Sequence, residues 1–160
     1  MKFCSNVKYL ILFALFTLVQ LYGSAVNAQT ITINQPLDFG RFVIVDNAAP
    51  RTITLLPGGG FTSDPQYLFF IDPTLGNVTV DGYPAFTPLT VTIGTTTLNP
   101  VGAGTANFTT SSTFTDPAVV VTDATGSVTF DVGATLSSDG GGTTHTDANY
   151  NGLFTVNVTP

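Results

Sequence analysis

The chain has 160 residues, 43% of them apolar and only 9% charged, where an ordinary globular domain carries about 25% charged residues. Four Lys and Arg against ten acidic residues leave a net charge of −6, which excludes the clustered cations a nucleic-acid face needs against phosphate. A single Cys excludes both an internal disulfide and a cysteine zinc site.

The N-terminal stretch reads as an export signal. Lys2 and Lys8 precede the apolar run Leu10 to Leu21 (LILFALFTLVQL), and Val26-Asn27-Ala28 supplies small or aliphatic side chains where signal peptidase takes them. The run falls short of the roughly 20 apolar residues a membrane span requires, so no stable membrane anchor is expected after cleavage. A signal peptide over 1–28 leaves a single domain over 29–160. Its cations are Arg41 and Arg51 alone; against ten acidic residues, all Asp, they leave −8. This segment has no Cys, Lys, Glu, Met or Trp, and the loss of Glu, Lys and Met removes most strong helix formers.

Strand signals then recur along the chain. Thr30-Ile31-Thr32-Ile33 alternates polar and apolar residues, as a half-buried strand does. Phe39 to Val45 and Arg51 to Leu55 follow, the latter stopped by Pro57-Gly58-Gly59-Gly60 at a hairpin tip. Tyr67 to Ile71 is apolar throughout and is expected as a central strand buried on both faces, before the turn Asp72 to Asn77. Val78 to Val80 runs into Asp81-Gly82, and Leu89 to Ile93 alternates strictly. Ala106 to Thr110 and Val119 to Thr122 are weaker strand signals. Ser127 to Val132 places Val128, Phe130 and Val132 on one face, and Asn149 to Val158 is expected as one closing strand with Phe154, Val156 and Val158 pointing into the core. Turn residues every roughly 8–12 positions predict an all-β fold, a single antiparallel β-sandwich.

Two clusters in this pattern resemble the DUF4402 family of exported bacterial proteins. One is Phe39-Gly40; the other runs from Gly126 through Val128-x-Phe130-x-Val132-Gly133-Ala134-Thr135-Leu136 to Tyr150-Asn151-Gly152-x-Phe154-x-Val156-x-Val158. Ala148 stands where the family has Gly, and the chain ends Val158-Thr159-Pro160. The resemblance implies an Ig-like, pilin-like sandwich, no assigned enzyme activity, and a surface or pilus-associated role by analogy of architecture. It marks Phe39, Gly40, Gly133, Ala134, Thr135, Leu136, Tyr150, Gly152 and Phe154 as structural motif residues. Gly133 suits a bulge or bend where an alternating strand ends, and Gly152 suits close approach of a neighbouring backbone.

Little in the chain is suited to chemistry. His145, the only His, is the one base available to a Ser or Thr nucleophile, and it lies in the polar stretch Ser137 to Asn149, expected as a solvated loop. Asp139, Asp147 and Asn149 are oxygen donors of the kind calcium takes, but their spacing fits neither an EF-hand nor a nonapeptide repeat. The remaining Asp residues sit mostly beside Gly, Pro or Asn, as turn residues do. No catalytic residue, cofactor or metal is expected. The expected function is that of a non-enzymatic exported structural or adhesion-type protein in the periplasm, on the cell surface or secreted. It is a candidate fimbrial, pilus-like subunit that self-associates by strand addition, with Gln29 to Gln35 as the one donor candidate, though that segment is read first as an ordinary first strand of the same sandwich. The alternative is a glycan-binding module using Tyr67, Tyr83 or Tyr150 as exposed platforms.

Overall fold

A computed structural model describes residues 28–104 and 106–160. The expected signal peptide, apart from Ala28, lies outside the described residues. Those residues form thirteen strands and no helix, and none of them forms a helix long and apolar enough to cross a membrane. The strands are β1 (Thr30–Gln35), β2 (Arg41–Ile44), β3 (Thr52–Leu55), β4 (Phe61–Ser63), β5 (Tyr67–Ile71), β6 (Gly76–Asp81) and β7 (Pro88–Ile93). They continue with β8 (Thr97–Pro100), β9 (Phe108–Asp116), β10 (Val120–Val121), β11 (Val128–Ser138), β12 (Tyr150–Asn151) and β13 (Val156–Thr159). Every pairing is antiparallel.

The eleven-residue β11 is the spine of the largest sheet, whose order is β1-β6-β11-β9-β8-β12. Along one edge β11 pairs first with β6, from Val128 to Val132, and then with β3, from Thr135 to Ser137. Along its other edge it pairs with β9, where the register slips between Gly133 and Thr135. The sheet therefore changes neighbours at Gly133-Ala134 and curls into a half-barrel.

Two smaller pieces pack on the concave side. The sheet β10-β7-β13 places Leu89, Val120, Val91 and Val158 against Val78, Val80, Phe130 and Val132 of the large sheet. The ribbon β2-β5 places Phe42, Ile44, Tyr67 and Phe69 against Ile53, Leu55, Phe108, Ala134 and Leu136. Alternation makes this possible: on β11 the even-numbered residues from Phe130 to Ser138 are all buried, and Phe42 meets Tyr67 and Phe108 edge to face at 5.0 and 5.7 Å.

Several expectations are corrected. β5 is half of a two-stranded ribbon and not a central strand; only Tyr67 is buried, while Leu68, Phe70 and Ile71 are exposed. The closing segment is two strands, because Gly152 packs on Leu98 and the chain crosses from β8 in the large sheet to β7 in the small one, leaving Leu153 fully in solvent. Phe154, half-buried, falls in the crossing and not in a strand. Strand β11 does not end at Gly133 but runs on to Ser138. β4 and β8 carried no recognised strand signal, and β9 extends to Asp116.

Candidate functional site

The motif residues build the seams of the fold. Phe39 is buried in the cluster beneath the ribbon, and Gly40 follows it with φ +79, where a Cβ would collide with the Ile71 carbonyl. Gly133 lies under the Leu55 carbonyl, the point where β11 exchanges β6 for β3. Ala134 and Leu136 are buried beside it, and Thr135 Oγ1 shares a 3.0 Å hydrogen bond with Thr54 Oγ1 on the outer face. Tyr150 packs edge to face on Phe108 at 4.9 Å and donates its hydroxyl to the Thr146 carbonyl at 3.0 Å. At Gly152 a Cβ would lie 2.8 Å from the Thr97 carbonyl oxygen.

The titratable groups are largely committed to local structure. Asp38, Asp46, Asp64, Asp123 and Asp139 each accept a backbone N–H from two residues on, at 2.8 to 3.4 Å. Backbone N–H bonds from Ala48 hold the Asp46 carboxyl below its ordinary value, and the Thr125 hydroxyl does the same for Asp123. Asp139 is lowered chiefly by Asn47, whose Nδ2 donates to it at 2.7 Å. Arg51 bridges Asp46 at 2.9 Å and Asp64 at 3.3 Å. Its carbonyl accepts the Tyr67 hydroxyl at 3.1 Å, and burial pushes that phenol up to about 12.

His145 is not a free loop residue. Its ring stacks on Phe108 at 4.3 Å, its Nε2 lies 3.3 Å from the Asn107 carbonyl oxygen, and its Nδ1 is buried without a partner. A ring held in this way pins the 139–149 segment to the core. No group of three His, Cys, Asp or Glu able to hold a metal occurs among the described residues, and Asp139 is engaged with Asn47. Two of the three tyrosine platforms are corrected as well. Tyr67 and Tyr83 are buried, their rings inside the two clusters, and Tyr83 donates its hydroxyl to the Val158 carbonyl at 3.0 Å. Phenols with their rings in the core present no stacking face to a sugar.

Some strand edges carry exposed apolar side chains. β1 pairs only with β6, opposite whose buried Val80 and Val78 it places Ile31 and Ile33, 46% and 65% exposed. Cross-strand partners share a face, so both side chains lie on the core side of the sheet, beyond the reach of the covering layer. The ribbon β2-β5 has two unpaired edges, and its outer face carries Val43, Val45, Leu68 and Phe70. Sequence reasoning missed that face because it read β5 as a buried strand; its alternation in β2 was the available signal.

The family model described as "Domain of unknown function (DUF4402)" matches residues 30–159. No curated protein and no solved structure matches the chain.

Proposed function

We propose, from the premise that this chain belongs to the DUF4402 family, that it is an exported, non-enzymatic β-sandwich subunit that assembles by strand addition, Ig-like and pilin-like in architecture. The observation that carries this reading is the β1 edge. Its backbone groups on one side have no strand partner, and Ile31 and Ile33 stand uncovered on the core-facing side. An unpaired edge with apolar side chains is a template for another chain, and a second copy of this protein is the partner this reading requires. Because β1 is already paired within its own domain, it acts as an acceptor edge in this reading, and a strand of the next copy is the addition. Such a contact is heterologous and propagates, which suits a fibre.

The sandwich reading is supported by the two packed layers and by the absence of any helix among the described residues. The export reading is supported by Lys2, Lys8, the apolar run and Val26-Asn27-Ala28, with a destination in the periplasm, on the surface or outside the cell. The non-enzymatic reading is supported by the structural work already assigned to His145 and to the turn aspartates.

The assay is light scattering on the exported chain over a concentration series, beside the Ile31→Lys/Ile33→Lys double variant. Concentration-dependent oligomers that the double variant abolishes, with circular dichroism unchanged, are the expected result. A wild-type chain that stays monomeric throughout would sink the strand-addition reading.

A further inference from the structure

The neighbour exchange along β11 leaves a groove on the outer face of the large sheet. Between the end of β6 and the end of β3, the chain departs to the 56–60 hairpin tip on one side and to the 72–75 segment on the other. The space between them is about 430 Å³, within the roughly 300–1,000 Å³ typical of small-molecule sites. Leu75 and Pro73, both half-buried, offer aliphatic surface there. Gly59 and Gly60 at the rim leave open space where side chains would stand.

The opposite wall is a chain of planar polar groups. Asn34, bulged out of β1, donates from Nδ2 to Asn77 Oδ1 and to Thr79 Oγ1, both at 2.7 Å. Asn77 Nδ2 in turn donates to Asp131 Oδ1 at 2.6 Å. These bonds fix three side chains across three strands while leaving capacity unused. Among the described residues, Asn34 Oδ1, one N–H of Asn77, the second Asp131 oxygen, the Gln35 amide and the Thr74 hydroxyl have no protein partner. Asn34, Asn77 and Asp131, held in place before any ligand arrives, bind without the entropy cost of ordering them.

The inventory selects a ligand class. The wall offers both donors and acceptors, which suits hydroxyl groups, since each hydroxyl gives and takes a hydrogen bond. Its single charged member is a carboxylate in a domain whose side chains sum to −8, which disfavours anionic ligands. The aliphatic surface suits the C–H face of a ring. We infer that the groove between β6 and β3 binds a neutral saccharide unit, with Asp131 and Gln35 accepting and donating to its hydroxyls and Leu75 beneath the ring. This goes beyond the strand-addition reading and moves glycan recognition from the buried Tyr67 and Tyr83 to the amide–carboxylate wall.

The probes are N-acetylchitotriose, mannotriose and maltotriose, with the anionic hyaluronan tetrasaccharide as the contrast, each titrated into the exported chain and followed by amide chemical shifts. At least one neutral trisaccharide is expected to shift resonances at 34–35, 73–77 and 131, and the anionic one to leave them in place. Asp131→Ala is expected to weaken that binding about tenfold, the usual worth of a hydrogen bond to a charged group. Gln35→Ala, at an exposed side chain with no hydrogen bond to lose, is expected to weaken it about threefold with the fold untouched. The inference is overturned if no neutral trisaccharide moves these resonances, if hyaluronan binds there as tightly, or if both variants keep wild-type affinity. Light scattering on the same samples separates the two readings: a monomer that binds sugar sinks strand addition alone, and an assembling chain that ignores every sugar sinks the groove alone.

Discussion

Replacing Gly133 by Ala tests the seam on which the largest sheet turns. The backbone at Gly133 is ordinary strand, so an added methyl brings no φ strain and its effect is steric. That methyl would lie inside contact distance of the Leu55 carbonyl oxygen, 3.2 Å from the Leu55 carbonyl carbon and 3.4 Å from Leu75 Cδ2. The obstructing atoms are backbone, so β3 must retreat by roughly 1 Å to restore normal carbon contact distances. Leu55 is 1% exposed, and moving its backbone drags a packed side chain out of register with Ile53 and Leu136. Overpacking of this kind costs about 1–3 kcal/mol. Gly94 provides the control, since its Cβ would meet only the Thr155 carbonyl oxygen at 3.9 Å. Gly94→Ala is expected to be neutral or to stabilise by up to about 1 kcal/mol, through lower entropy of the unfolded chain. Urea denaturation of the two variants is thus expected to separate them by about 1–4 kcal/mol, with Gly133→Ala melting about 4 °C lower per kcal/mol lost. Two variants within about 0.5 kcal/mol of each other would show that the Leu55 contact does not constrain the seam.

Three further outcomes follow from the same geometry. Thr122, 2% exposed, donates its hydroxyl to the Pro84 carbonyl at 2.7 Å and accepts the Thr87 N–H at 2.8 Å, tying down the loop that holds Phe86 at φ 57. Thr122→Val keeps the shape but orphans those groups, and a loss of about 1–3 kcal/mol in urea midpoint experiments is expected; an unchanged midpoint would show the clamp to be dispensable. The Tyr67 phenol titrates near 10 in the unfolded chain and near 12 in the folded one, because burial disfavours its anion. Its contribution is complete below pH 10 and is lost as pH rises toward 12, so alkaline unfolding should begin in that window and move higher in Tyr67→Phe if the variant folds. Asp46, Asp123 and Asp139 are shifted the other way, below their ordinary 3.8. Their contribution is complete above about pH 4 and is lost as pH falls through the lowered values, so Asp123→Ala should flatten the acid limb of the stability curve, and a limb identical to wild type would count against the turn bonds.

The polar wall of the groove and the exposed apolar edges became visible only with partners assigned. Asn34, Asn77 and Asp131 are separated by 43 and 54 positions, and nothing in their local sequence distinguishes them from turn residues. A bulge in β1 and the registers of β6 and β11 bring them into one row. His145 is a similar case: a polar segment reads as solvated, yet a flat ring can cover Phe108 while its neighbours stay in water. Tyr67 and Tyr83 erred in the other direction, because an aromatic residue in an alternating segment carries no mark of which face it occupies.

By itself the sequence determined the all-β class, the antiparallel strand rhythm, the turns and the family. Each of these rests on local chemistry: period-two alternation, β-branched side chains, Asp bonding its own backbone two residues on, and glycines at Phe39-Gly40 and Val132-Gly133-Ala134. Tertiary structure alone decided which strands stay covered. Whether Ile31 is core or surface depends on how far the second layer reaches across β6, and whether Tyr67 to Ile71 is a central strand or half a ribbon depends on what pairs with it. Those are contacts between residues far apart in the chain, and alternation records that a strand has two faces without recording what lies over either of them.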